Sequence, residues 1–315
     1  MLTKIDPGLR PFVPHLPDLD LTDVAGMRTI LHELTAKKKP YESVVALSVQ
    51  DRRATSGDAE VMVRTYRPAE ATTALPGILY MHGGGFVSGD LDMSDTWARR
   101  LSAEVFAVVV SVDYRLAPEH AFPAPLDDCY AALEWMVAEA DSLGLDPTRI
   151  AVAGDSAGAN LATATAIRAR DCDGPAICHQ SLSIPGLDDR LDTPSARAST
   201  DTPLWRTGHS EHTWAYYLGD GFTPGSDDVP PLAAPARVTD LSNLPSTFIA
   251  ACDLDPHRDE AISFGMRLAQ ADVRTEMHLY PGTFHASRMF EHVEVSQRMI
   301  RDCVSALQRA LASSG

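Results

Sequence analysis

The stretch Arg149-Ile150-Ala151-Val152-Ala153-Gly154-Asp155-Ser156-Ala157-Gly158-Ala159-Asn160-Leu161-Ala162-Thr163-Ala164-Thr165-Ala166-Ile167 decides the fold. Residues 149–153 read as a short buried strand, and residues 160–167 as a helix of small residues. Between them Ser156 sits on a sharp turn with glycines two positions to either side. Such a turn holds its serine in a strained backbone with the hydroxyl exposed above a sheet. Glycine is needed on both flanks because a side chain there would strike the neighbouring strand or helix. The helix behind the serine presents its positive end where an oxyanion could form.

Outward from the elbow, short apolar runs alternate with amphipathic helices. Residues 61–66 and 273–280 alternate as half-buried strands do, the latter ending at the turn signal Pro281-Gly282. Residues 78–81, 105–112, 150–153 and 247–251 are continuous, as strands covered on both faces should be. Helices are expected over 127–140, over 258–271 and from Val293 to the C-terminal end. This alternation predicts an α/β fold with a mostly parallel central sheet flanked by helices.

Two stretches break the pattern. Residues 1–45 are proline-rich and then helical, and residues 187–240 mix Asp, Pro and Gly with several aromatics. Long insertions in a compact domain generally serve as lids or binding elements. The chain is therefore expected to be a single domain over 1–315. Its core covers about 46–186 and 241–315, and a mainly helical cap is built from about 1–45 and 187–240.

Bulk properties narrow the function. The 315 residues carry a formal net charge of -16, which argues against nucleic acid or an anionic membrane surface as partner. The basic run Lys37-Lys38-Lys39 reads as a solvated helix end. No apolar run approaches the ~20 residues of a membrane span, and no signal-like apolar segment opens the chain. Five cysteines without close pairs fit reduced thiols and a cytoplasmic location.

Serine hydrolysis needs a nucleophile, a base, an acid that orients the base, and donors for the oxyanion. Ser156 is the nucleophile candidate. His82-Gly83-Gly84-Gly85-Phe86 follows a buried strand, and its glycines let backbone N–H groups converge on a small anion. Both glycine loops leave the C-terminal ends of strands, where α/β sheets bind ligands. Of eleven histidines, His278 lies within a strand and His292 within the terminal helix. His285, in the loop leaving the last strand, is the candidate base. Asp253, Asp255 and Asp259 all follow the preceding strand; Asp255 is preferred to Asp259, and Asp253 stays open on spacing.

The set His82-Gly-Gly-Gly-Phe86, Asp113-Tyr114-Arg115-Leu116-Ala117-Pro118-Glu119, Gly154-Asp-Ser-Ala-Gly158, Asp255-Pro256-His257-Arg258-Asp259-Glu260 and His285 resembles the hormone-sensitive-lipase-like esterases. These are also called bacterial family IV carboxylesterases and have the α/β-hydrolase fold. The resemblance spans roughly residues 45–310. It implies a Ser156, Asp255 and His285 triad, and an oxyanion hole from Gly84, Gly85 and the Ala157 amide. It assigns Asp155 a structural role and needs neither metal nor cofactor. It further implies a small-molecule ester substrate with a short to medium acyl chain, and homodimers are frequent in such families. Phe86, Trp205, Trp214 and Tyr217 are the candidate pocket residues.

Three positions depart from the family pattern. His257 replaces an aliphatic residue and is expected to make a surface polar contact. Ala286 and Ala159 stand where glycine is common. In the Tyr114–Glu119 segment, Arg115 and Glu119 are expected to pin a proline-containing turn. Amide, lactone or acetyl-group hydrolysis would use the same triad. A ligand-binding receptor on this fold, such as the plant gibberellin receptors, lacks the histidine, and His285 speaks against that reading.

Overall fold

The continuous apolar runs become the middle of one eight-stranded sheet. A computed structural model describes residues 2–37, 41–57 and 59–312. The strands are β1 (Leu47–Ser56), β2 (Ala59–Pro68), β3 (Leu75–Met81), β4 (Val108–Asp113), β5 (Leu145–Asp155), β6 (His179–Ser183), β7 (Ser246–Leu254) and β8 (Thr275–Phe284). Their spatial order is β1-β2-β4-β3-β5-β6-β7-β8. The β1–β2 and β2–β4 pairs are antiparallel, and the remaining pairs are parallel. Every residue of β3 is buried, as its unbroken apolar run requires.

Helices α1 (Val24–Ala36), α2 (Leu91–Val105), α3 (Ala124–Ala138), α4 (Ala140–Leu143), α5 (Ala157–Asp171), α6 (Pro194–Ala198), α7 (Thr207–Leu218), α8 (Arg258–Gln270) and α9 (Glu294–Leu311) complete the architecture. Leu101 and Val105 of α2 join Met299 and Leu307 of α9 on one face of the sheet. On the opposite face, Leu133 of α3, Leu161 of α5 and Phe264 of α8 build the larger core. Cys129, Cys252 and Cys303 are buried thiols, whereas Cys172 is exposed.

Several boundaries differ from the sequence reading, each for a local reason. Val105 belongs to α2, which closes on Phe106 in a left-handed conformation (φ 58°) before β4 begins. Strand β8 runs through Pro281-Gly282 to Phe284 because Gly282 takes φ +71° and the register shifts opposite Cys252 and Leu254. Helix α3 starts at Ala124 rather than residue 127. His292 lies ahead of α9, edge-on to Phe12 at 4.8 Å. Strand β6, whose sequence His-Gln-Ser-Leu-Ser carries no apolar run, is nonetheless buried throughout.

Residues outside the alternating core pack in separate places. Leu19, Leu21 and Met27 cluster with Trp205 and the half-buried Tyr216, and the Tyr216 hydroxyl donates to the Leu21 carbonyl at 3.1 Å. Arg206 pairs with Asp18 at 2.6 Å. By contrast, Ile5 and Leu9 pack on Phe284 and Val293. Val229, Ala233 and Leu241 sink into the larger core beside α5. Of the basic run, Lys37 caps α1, while Lys38 and Lys39 lie outside the described residues.

Candidate active site

The chain changes direction across the sheet at β3: β4 lies on one side of it and β5 on the other. Such a switch point opens a crevice at the carboxyl ends of the strands. The glycine loop after β3 and the elbow after β5 meet there. A Cβ at Gly158 would come within 2.2 Å of the Met81 carbonyl oxygen and 2.3 Å of that of His82. One at Gly154 would lie 2.2 Å from the Gly158 carbonyl oxygen. These contacts are with backbone, which cannot yield.

Ser156 adopts φ 54°, ψ −116°, a conformation serine rarely takes. Its N–H donates to the Ser183 carbonyl at 2.8 Å, which anchors the turn to β6. The amide of Ala157 opens α5, where helical N–H groups have no partner within the helix. Gly84 and Gly85 have φ +130° and +62°. The Gly84 carbonyl is tied back by the Val87 and Ser88 N–H groups at 3.2 and 3.0 Å.

Ser156 Oγ lies 3.0 Å from His285 Nε2, and His285 Nδ1 lies 2.8 Å from Asp255 Oδ2. The other carboxylate oxygen, Oδ1, accepts the His257 backbone N–H at 2.9 Å. All three side chains are buried. Burial alone would raise the Asp255 carboxyl, but the adjoining His285 and His257 outweigh it and hold it below the usual range.

Of the three aspartates after β7, it is Asp255 that contacts His285. Asp253 accepts the Gly282 N–H at 3.3 Å and faces Arg258. Asp259 binds Arg258 at 2.8 Å and the Ser195 N–H at 2.7 Å. Asp155 turns elsewhere, taking the Tyr80 hydroxyl and Arg288 at 2.6 Å each. Arg288 in turn stacks on Trp97 at 3.8 Å.

Beneath the glycine loop, His82 is buried and stacked on Tyr114 at 4.2 Å between ring centres. Burial lowers its imidazole to about 4, so it is neutral near pH 7. The Tyr114 hydroxyl donates to the His82 carbonyl at 2.8 Å. Arg115 forks onto Asp128, and Glu119 pairs with Arg28 at 2.7 Å. The Tyr114–Glu119 segment thus supports the loop and anchors α1.

A family model described as the alpha/beta hydrolase fold matches residues 78–289, from β3 past His285. The chain belongs to this family. The α/β-hydrolase is 36% identical over 314 residues to the carboxylesterase NlhH of Mycobacterium tuberculosis, spanning 98% of this chain and 96% of that one. It is 32% identical over 270 residues to an ethyl acetate hydrolase of Pseudomonas putida, covering 84% and 83% of the two chains. Among solved structures it superposes on a bacterial heroin esterase with TM-score 0.93, 40% identity and 99% coverage of both chains. These likenesses identify a carboxylic ester hydrolase of the hormone-sensitive-lipase-like group.

The four pocket candidates of the α/β-hydrolase occupy different surroundings. Trp205 lies 5.6 Å from the His285 ring, and a Cβ at Gly85 would strike its indole at 2.8 Å. Phe86 instead stacks on Tyr217 at 3.8 Å and lies 5.5 Å from Trp214. Those three belong to the larger core.

His257 corrects the sequence reading. It is buried rather than on the surface, because α7 closes over it. Its Nδ1 meets Glu260 Oε1 at 3.0 Å and its Nε2 meets Ser210 Oγ at 3.3 Å. Burial alone would lower its imidazole, but the Glu260 carboxylate outweighs this and raises it. The unusual residue in the Asp-Pro-His stretch was the one sequence signal for this pair. Asp255, His257 and His285 bring ligand atoms within 4.8 Å of one another, a spacing a metal could use. Those atoms are already engaged in the hydrogen bonds above. No helix among the described residues is long and apolar enough to cross a membrane.

Proposed function

We propose that Ser156 is the nucleophile of this esterase, His285 its general base and Asp255 the acid that orients the base. The observation that carries the assignment is the unbroken hydrogen-bonded line Ser156 Oγ–His285 Nε2, His285 Nδ1–Asp255 Oδ2 at 3.0 and 2.8 Å. Attack of the hydroxyl on the ester carbonyl sends its proton to His285, and Asp255 stabilises the imidazolium. The N–H groups of Gly84, Gly85 and Ala157 receive the oxyanion, each contributing about 3 kcal/mol in comparable enzymes. His285 then protonates the departing alcohol, and water repeats the sequence on the acyl-enzyme.

Residues from the N-terminal segment and from 187–240 form the cap in this reading. The packing of Leu19, Leu21 and Met27 on Trp205 supports it. Trp205 walls the substrate site, with Phe86, Trp214 and Tyr217 packed behind it. An indole lying against Gly85 leaves little room above the oxyanion donors, which favours short to medium chains. The relative named ethyl acetate hydrolase agrees with small esters.

The test is a series of p-nitrophenyl esters from acetate to dodecanoate, run on the wild-type enzyme and on Ser156→Ala. Activity should peak at short to medium chains, and Ser156→Ala should lose about 10⁴-fold or more in kcat. Retained activity in that variant would remove Ser156 from the mechanism.

A further inference from the structure

A line of buried polar contacts leads away from the Asp255–Glu260 segment to the wall of the site. Glu260 Oε1 accepts the Leu187 N–H at 2.7 Å and faces His257 Nδ1 at 3.0 Å. Across the ring, His257 Nε2 meets Ser210 Oγ on α7 at 3.3 Å. Ser210 Oγ accepts the Trp205 indole N–H at 2.9 Å. Glu260, His257, Ser210 and Trp205 are all less than a tenth exposed.

The far edge of the same indole lies against Gly85, with the Thr213 methyl beside it. Trp205 is therefore held at two ends: by packing on the glycine loop and by one hydrogen bond to Ser210. An indole N–H is a single donor, and a buried donor left without a partner costs about 1–3 kcal/mol. Removing its acceptor therefore favours a turned indole. With Nδ1 facing Glu260, Nε2 is the ring atom left to hold Ser210. An aliphatic residue, which the family pattern has at this position, could not do so.

We propose that His257 is a specificity-determining residue that acts through Ser210 to hold Trp205 against the glycine loop, limiting the length of ester chain the site admits. The proposal rests on the reading of Ser156 as nucleophile. His257 lies edge-on to the His285 ring at 5.5 Å, and its link to the wall of the site runs through Ser210 to Trp205.

The experiment compares kcat/KM for hexanoate and acetate esters, and for hexyl and ethyl alcohols of one acid, in wild type and variants. A ratio cancels any uniform loss that a disturbed Asp255 would cause. Ser210→Ala and His257→Asn break the link. Each should shift the long-to-short ratio in one of the two series by about tenfold, the scale of one or two methylenes in an apolar pocket. His257→Gln, whose amide can reach the Nε2 position, should stay nearer the wild-type ratio. In a Trp205→Ala background, Ser210→Ala should produce no further change.

Ratios within twofold of wild type in both series, for Ser210→Ala or for a folded His257→Asn, would overturn the proposal. A shift in Ser210→Ala that persists when Trp205 is already alanine would overturn it as well. If His257→Asn fails to fold, Ser210→Ala interrupts the same line from the α7 side and decides alone. Failure of the nucleophile reading is separate, because it shows as activity surviving in Ser156→Ala.

Discussion

The elbow after β5 and the acid-bearing segment after β7 hold their residues by opposite means. At the elbow, backbone fits against backbone. Gly154 meets Gly158 within the turn, Gly158 abuts the Met81 and His82 carbonyls, and the strained Ser156 donates its N–H to the Ser183 carbonyl. The acid segment is held from a distance. Asp259 binds the Ser195 N–H of α6, Glu260 binds the Leu187 N–H, and His257 reaches Ser210 of α7. The glycine loop packed against the elbow and the acid-bearing segment also bury histidines in different states. Burial lowers His82 to about 4, whereas the Glu260 carboxylate outweighs burial and raises His257. A backbone-built site tolerates no added atom, while a side-chain-built one can be retuned by a single substitution.

The largest expected effect tests the acid half. Asp255→Asn should cost about 10⁴-fold in kcat by presenting the wrong partner to His285 Nδ1. Asp253→Asn, removing a carboxylate that faces Arg258, should stay within a few-fold. Equal losses in steady-state assays would mean that the contact geometry does not single out Asp255.

Gly158→Ala tests the backbone-built half. Its Cβ would lie 2.2 Å from the Met81 carbonyl oxygen, so the protein should lose more than about 4 kcal/mol or fail to fold. A soluble variant with an unchanged urea midpoint would break the claim that backbone contact dictates the elbow.

The two histidines differ in pH response. His82 has its folded pKa depressed below the unfolded 6.5, so its stabilising contribution is full above that value. It is lost as pH falls toward 4, because the unfolded chain takes the proton first. Between pH 7 and pH 5 that loss is about 2 kcal/mol, from 1.36 kcal/mol per unit. Urea unfolding at the two pH values measures it, and His82→Gln should flatten the slope. An unchanged slope in the variant would assign the loss to other groups.

The smallest effect concerns strain. Ala286, directly after His285, has φ 61°, the left-handed region that favours glycine. This gives a physical reason for glycine being common there in the family. Ala286→Gly should stabilise by about 1 kcal/mol, read as a rise in Tm. Ser156 shares that region, yet glycine there would remove the proposed nucleophile. A lower Tm for Ala286→Gly would show that the strain is relieved locally.

Much of this was legible in residue order. Continuous apolar runs marked β3, β5 and β7, and glycines around Ser156 marked the elbow. Strand β6 escaped notice because its burial depends on neighbours on both sides, not on its own polar-looking residues. The four aromatics at 86, 205, 214 and 217 could not be sorted, since apolarity is common to pocket wall and core. Position 257 drew attention as unusual, but its burial depends on a helix about fifty residues earlier in the chain.

Sequence alone marked the α/β alternation, strands β3, β5 and β7 and the glycine-flanked elbow, because apolar periodicity and glycine placement are written between near neighbours. Only the tertiary structure decided which aspartate meets His285, which aromatic lies beside the His285 ring, and that His257 is buried against Glu260 and Ser210. Those outcomes depend on side chains brought together from distant segments, whose desolvation and pairing exist only once the chain has closed.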